Sequence, residues 1–270
     1  MSARTLGSTL LHLQDVAKHF GGVKAVDGVT LSVPTGTVMG LMGPNGAGKT
    51  SLLNLITGFY SPDQGSIVFE DAEIAGHSAH AISRQGITRT YQNVRLLSGF
   101  SVLDQVVTGM YADRRAWSLG SLLFSPRERR ERRECEERAA ALLDRVGVTE
   151  RRELADELPY GTQRRVEIAR ALATGPRLIL LDEPTAGMNA EESTQIGELV
   201  RSVRDDGVTV MLIEHNMRLI LDYCDAAYVM SFGTVLAHGT PRECVDDPRV
   251  QEAYFGKEAD ASDIPALREL

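Results

Sequence analysis

The chain has 270 residues, 43% of them hydrophobic and 24% charged, with a formal net charge of −8. That length suits one large domain or two intimate subdomains around a real core. The acidic balance argues against a broad basic surface for nucleic acid, leaving room only for a local patch.

No apolar run approaches the ~20 residues that cross a bilayer, and the opening MSARTLGSTL lacks the long apolar core of a signal peptide. The sequence therefore predicts a protein that stays in the cytoplasm. Cys135, Cys224 and Cys244 form no CxxC pair and no cluster with histidine, and read as reduced structural residues.

Residues 10 to 42 read as strands. LLHLQDVAKHF leads through Gly21-Gly22, a hairpin signal, to VKAVDGVTLSV, and Pro34 and Gly36 turn the chain into TVMGLM. Phe20, near the first turn, suits either the core or stacking on an adenine ring. GPNGAGKT, Gly43 to Thr50, matches G-x-x-x-x-G-K-[ST] between the strand TVMGLM and the helical TSLLNLITGF. Glycines let backbone wrap a phosphate because no Cβ intrudes. Successive N–H groups and the helix start then face the anion. Lys49 can reach β- and γ-phosphates and the Thr50 hydroxyl can ligate Mg²⁺. A merely structural Gly-rich turn is the competing reading, and it is outweighed by the strand, lysine and threonine standing in order.

Beyond this point the texture alternates between helices and short apolar strands, the pattern of an α/β layered fold. Gln92, in TRTYQNVRLL, follows a short apolar strand. Its neutral amide can sense Mg²⁺ or water and move with the segment that follows. Residues 101 to 157 are mostly helical, and SPRERRERRECEERAAALLDRVGV carries Glu and Arg at three- and four-residue spacing. A nucleic-acid arm competes with an exposed helix there, but the acids nearly balance the bases.

LPYGTQRRVEIARAL, Leu158 to Leu172, puts proline, tyrosine and glycine directly before a strongly helical run. It is either a loop-to-helix junction with a solvated basic face or a helix aiming its start at an anion. Arg164 and Arg165 lie about 100° apart around such a helix and cannot both face one ligand. LILLDE, Leu178 to Glu183, is a buried strand ending in two acids. Asp182 is placed to hold Mg²⁺ through water, and Glu183 is the natural general base for a water. Paired acids before Pro184 also suit a simple helix cap. A helical pattern at 190 to 204 precedes the strand VTVMLIE. His215 leaves that strand in the same half of the sheet as Asp182, where ligands of open α/β sheets gather.

These motifs in this order resemble the nucleotide-binding subunit of ATP-binding cassette (ABC) transporters over about residues 10 to 255. The resemblance covers Walker A at 43–50, a Q-loop at Gln92, Walker B at 178–183, AGMN (186–189) as the D-loop and a switch histidine at His215. It implies an α/β P-loop NTPase cassette with an antiparallel N-terminal β-subdomain and an inserted helical subdomain. The implied limits are 8–256, with the core at 8–92 and 158–256, the insertion at about 93–157 and a polar tail at 257–270.

By the same resemblance ATP is held by Phe20, by Gly43, Pro44, Asn45, Gly46, Ala47, Gly48, Lys49, Thr50 and Ser51, and by Asp182. Mg²⁺ falls to Thr50, Gln92 and Asp182, and catalysis to Glu183, His215 and Gln92. Pro159, Tyr160 and Gly161 occupy the family signature, commonly L-S-G-G-Q, which caps the ATP of a second subunit. Pro159 replaces the usual serine, removing a hydroxyl contact of a kind worth about 1.5–3 kcal/mol.

The variants LPYGTQRRVEIARAL, RTYQNVRLLSGFSVLDQV, FGGVKAVDGV and EAYFG (252–256) resemble the ATPases of branched-chain amino acid importers. That subgroup implies an ATPase on the inner face of the membrane with two permease subunits, a second ATPase subunit (identical or paralogous) and, indirectly, an external solute-binding protein. Urea or amide importers, a lipopolysaccharide export cassette, and a soluble cassette used for assembly or nucleic-acid work are the alternatives.

Overall fold

β1 (Thr9–Phe20) and β2 (Val23–Pro34) pair antiparallel from Phe20↔Val23 to Thr9↔Pro34. Their tight turn uses Gly21 at φ +58°, a conformation glycine adopts without a Cβ penalty. Leu11, Leu13, Val16, Val29, Leu31 and Val33 point inward and are fully buried or nearly so. The computed structural model describes residues 8–111 and 126–255.

The elements follow in chain order as β3 (Val38–Met42), α1 (Lys49–Ile56), β4 (Gln64–Phe69), β5 (Ala72–Glu73), α2 (Ala79–Arg84), β6 (Ile87–Arg89), α3 (Val102–Met110), α4 (Pro126–Arg145), a 3-10 turn (Ala155–Glu157) and α5 (Tyr160–Ala173). Then come β7 (Leu178–Asp182), α6 (Ala190–Asp205), β8 (Thr209–Ile213), α7 (Met217–Tyr223), β9 (Ala226–Ser231), β10 (Thr234–Gly239), α8 (Pro241–Asp246) and α9 (Pro248–Phe255). Among the described residues no helix is long and apolar enough to cross a membrane.

The chain groups into two compact units, one formed by residues up to Gln85 with those from Leu180 onward, the other by Gly86–Ile179. The first unit holds the antiparallel sheet β2-β1-β4-β5 and the sheet order β10-β9-β3-β8-β7. β4 lies outside the expected strand run of 10 to 42: it returns after α1 to extend the antiparallel sheet on the other side of β1. β3 also departs from that run. It leaves the antiparallel strands and pairs parallel with both β8 and β9. Every residue of β3, β7 and β8 is buried, as strands covered on both faces require. The helix expected at 190 to 204 is α6, opened by a reciprocal cap between Asn189 and Glu192.

The second unit is built on α3, α4 and α5. Gly109 of α3 approaches α5 so closely that a Cβ there would stand 2.3 Å from the Arg170 carbonyl oxygen. α4 shows the charged, exposed face expected of it, with Arg130–Glu134 and Arg132–Glu136 paired one turn apart. The 112–125 part of the expected insertion, and the tail from 256 on, lie outside the described residues. Cys135 and Cys244 are buried, Cys224 is half-buried, and all three thiols are free.

Candidate nucleotide-binding site

In the first unit the buried strand β3 delivers the chain into the loop Gly43–Gly48, and α1 begins at Lys49. The loop's shape rests on glycine. Gly43, Gly46 and Gly48 take φ of +146°, +81° and +100°. A Cβ on Gly43 would meet the Met230 carbonyl oxygen at 2.3 Å, and one on Gly48 the Ala25 carbonyl oxygen at 2.2 Å. Around Gly46 a Cβ would meet nothing within 4 Å, so the loop is packed at its two ends and open at its crown. The β9–β10 turn braces it, with the Gly233 N–H donating to the Ala47 carbonyl at 3.0 Å and its own carbonyl accepting from Asp27 N–H at 2.8 Å.

α1 has no acidic residue in its first turn and no side chain capping its start, so its leading N–H groups suit an anion. Lys49 is buried, and its ammonium donates to the carbonyls of Gly43 at 2.5 Å and Pro44 at 3.2 Å. Burial lowers its pKa, while the carboxylates of Glu183 and Asp182 act in the opposite direction. Thr50 is exposed and Ser51 half-buried at the start of α1.

Asp182 ends β7 with 6% exposure, and Glu183 follows with φ +46°, the left-handed region that non-glycine residues rarely occupy. The Glu183 N–H donates to the Ile213 carbonyl at 2.9 Å, tying the end of β7 to the end of β8. His215, just beyond β8, is exposed and brings Nδ1 to 3.6 Å from the Glu183 carboxylate. Lys49, Asp182, Glu183 and His215 thus gather at one end of this sheet. An ammonium coupled to acidic oxygens, a backbone cradle and an exposed hydroxyl at the start of α1 match a polyphosphate with Mg²⁺, a cation that favours oxygen donors. Phe20 is 43% exposed, its ring edge-on to Tyr60 with centroids 5.1 Å apart, which leaves aromatic surface free for a base.

Two groups here were not anticipated from the sequence. Glu214 is fully buried and accepts from the Thr185 hydroxyl at 2.7 Å and the Thr185 N–H at 3.1 Å. Burial pushes its carboxyl pKa up. The Tyr254 hydroxyl of α9 accepts from the Gly43 N–H at 2.6 Å.

Gln92, Pro159, Tyr160 and Gly161 belong to the second unit. Pro159 is the residue before α5, and no side-chain cap satisfies the helix start. Of the two adjacent arginines, Arg164 is fully buried. It donates to the Tyr91 carbonyl at 2.5 Å, to the Gln92 carbonyl, to the Tyr160 hydroxyl at 3.2 Å and to the Glu167 carboxylate at 2.8 Å. Arg165 is half-buried beside the Thr162 hydroxyl. The start of α5 is therefore fastened to the backbone of Gln92, a link that no spacing in the sequence signals. Burial raises the pKa of Glu167, and Arg164 counters it. Nearby, a cleft of about 290 Å³ is lined by Tyr91, Arg95, Leu97, Thr108 and Arg170 among others.

The loop, lysine and strand-end acids at the end of a mixed sheet define a P-loop NTPase site. The chain belongs to the ABC transporter family, which it matches over residues 26–186. Residues 234–260 match the branched-chain amino acid ATP-binding cassette transporter family. It is 38% identical over 254 residues to the high-affinity branched-chain amino acid transport ATP-binding protein LivG of Escherichia coli K12, covering 93% of this chain and all of that one. It is 41% identical to BraF of Pseudomonas aeruginosa, a protein of the same description, over 92% of this chain and 98% of that one. The lipopolysaccharide export system ATP-binding protein LptB of E. coli K12 is 34% identical over 92% of this chain and 98% of that one. Among solved structures, an ATP-binding cassette of an ABC transporter in its ADP conformation superposes with a TM-score of 0.81 at 34% identity, covering 92% of this chain and 99% of that one.

Proposed function

We propose that this chain is the ATP-hydrolysing subunit of an importer for branched-chain amino acids. The observation that carries the reading is the 38–41% identity to LivG and BraF along nearly the whole of both chains. LptB, at 34%, favours the lipopolysaccharide alternative less. The cassette is proposed to run over 8–256, and the protein to sit on the inner face of the membrane against two permease subunits, paired with a second ATPase subunit. The cleft beside Tyr91 and Arg95, with Gln92 and residues 93–102, would face a permease.

The loop Gly43–Ser51 would bind the phosphates through its N–H groups, with Lys49 exchanging its carbonyl partners for phosphate oxygens. Phe20 would stack on the adenine. Thr50, Asp182 and Gln92 would hold Mg²⁺, which supplies charge neutralisation on the phosphate oxygens when bound. Glu183 would take the proton of the attacking water, and His215 would orient it and the γ-phosphate. Pro159, Tyr160 and Gly161 would present the start of α5 to the ATP of the other subunit. Preorganised charge in such a site carries most of the rate enhancement.

Glu183→Gln tests the reading. The amide keeps the shape and cannot accept a proton, so turnover should fall about 10²–10⁴-fold while MgATP binding persists and a closed dimer accumulates on a sizing column. Hydrolysis at the wild-type rate would remove Glu183 from the role of base.

A further inference from the structure

Gly43, the first residue of the phosphate loop, is held on three sides. Its carbonyl accepts from Lys49 at 2.5 Å, the Met230 carbonyl fills the space a side chain would need, and its N–H donates to the Tyr254 hydroxyl at 2.6 Å. The first two contacts come from the loop itself and the sheet beside it. The third comes from α9, the last helix described, 211 residues away in sequence.

α9 packs on α8 and on β10. The turn between β9 and β10 is the one whose Gly233 reaches Ala47 and Asp27. The chain beyond β9 thus touches the phosphate loop at both ends: Gly233 at its far end, Tyr254 at its entry. Both contacts are hydrogen bonds to loop backbone, so they govern the loop's conformation and not its charge. Tyr254 is half-buried and its phenol pKa is pushed up to about 12 by burial, so it remains a neutral partner at any physiological pH.

We propose that Tyr254 is a positioning residue for nucleotide binding, through which the docking of α9 sets the affinity of the phosphate loop for ATP. Gly43 is where the chain turns out of β3, and its carbonyl is a resting partner of the Lys49 ammonium. A Gly43 peptide free to rotate would carry Lys49 and the following N–H groups away from a common phosphate position. The buried N–H left without its acceptor would favour that rotation. ATP would then have to reorder the loop on binding, and affinity would fall, while Glu183 and His215, at the ends of β7 and β8, would keep their places. This inference rests on the proposed ATPase reading and assigns to the family segment at 234–260 a part in nucleotide affinity.

Tyr254→Phe removes the hydroxyl and keeps the ring. The full chain is titrated with MgATP by calorimetry, kcat and KM for ATP are measured, and ligand-free melting is recorded. Amide exchange at Gly43 is followed by NMR in the ligand-free wild type and variant. The expected result is Kd and KM raised about fivefold, kcat within about twofold, melting within about 2 °C, and faster exchange at Gly43. Wild-type Kd in the variant would overturn the proposal, as would an affinity loss matched by a proportionate fall in melting temperature, the signature of general loosening. If the wild type itself bound no ATP, the proposed function would fall. Gly43 exchange would then decide the anchor alone: unchanged protection overturns it, lost protection supports it.

Discussion

Replacing Arg164 with methionine keeps much of the volume and removes the cation from a fully buried position. Four partners lose a donor: the Tyr91 carbonyl, the Gln92 carbonyl, the Tyr160 hydroxyl and the Glu167 carboxylate, itself 2% exposed. Breaking a buried pair in this way costs about 3–5 kcal/mol. The carboxylate's share has a ceiling, because Glu167 can escape by taking up a proton. From an ordinary value of 4.5 that uptake costs about 3.4 kcal/mol at pH 7 and about 0.7 kcal/mol at pH 5. The orphaned carbonyls contribute a further part that does not depend on pH.

The sign follows from linkage. In the variant the folded pKa of Glu167 rises further above its unfolded value, so stability is full below pH 4.5 and is lost as pH rises through the folded value. Thermal unfolding of wild type and variant should therefore show a deficit of roughly 6–20 °C at pH 7 that narrows at pH 5. Adding Glu167→Leu should recover the pH-dependent part and leave the rest. A deficit of equal size at both pH values would refute the role of Glu167, and melting within about 2 °C of wild type at pH 7 would refute the anchoring itself.

Gly48→Ala should lower ATP affinity more than tenfold, since a Cβ there would lie 2.2 Å from the Ala25 carbonyl. Gly46→Ala, with nothing within 4 Å, should cost only the left-handed penalty of about 1–2 kcal/mol, and calorimetric titration separates the two. Glu214→Gln keeps the acceptor for Thr185 and removes the titration. Burial raises the Glu214 pKa, so the wild type loses stability as pH rises above its ordinary 4.5, and the variant should gain on it between pH 4.5 and 8 in urea midpoints.

The phosphate loop was legible because its chemistry is local: eight consecutive residues between a strand and a helix carry the whole signal. The strands ending at Asp182 and before His215 were legible because strands buried on both faces are uninterrupted apolar runs. β4 and β10 were not, since each is short and only half-buried, and β4 pairs with β1, a strand from before the phosphate loop. Arg164 illustrates the boundary. Geometry alone says that adjacent arginines diverge, and only the fold shows that the buried one holds the backbone of Gln92, 72 residues away. Glu214 gave no signal, and Tyr254 stood only inside the family-like EAYFG with no role attached to it, because a carboxylate beside a histidine and a tyrosine near the chain's end are ordinary until their neighbours are known.

The backbone at Glu183 carries a consequence for how this position can vary. A left-handed φ of +46° on a residue with a Cβ costs about 1–2 kcal/mol, and it is held by the hydrogen bond from its N–H to Ile213. Glycine would relax the turn and steady the fold, yet it would take away the carboxylate that faces His215. With Glu183 as the proposed base, selection for a sturdier protein and selection for a working one pull this residue in opposite directions, and on that proposal an evolution experiment scored on thermal tolerance alone would drift toward a well-folded chain without its base.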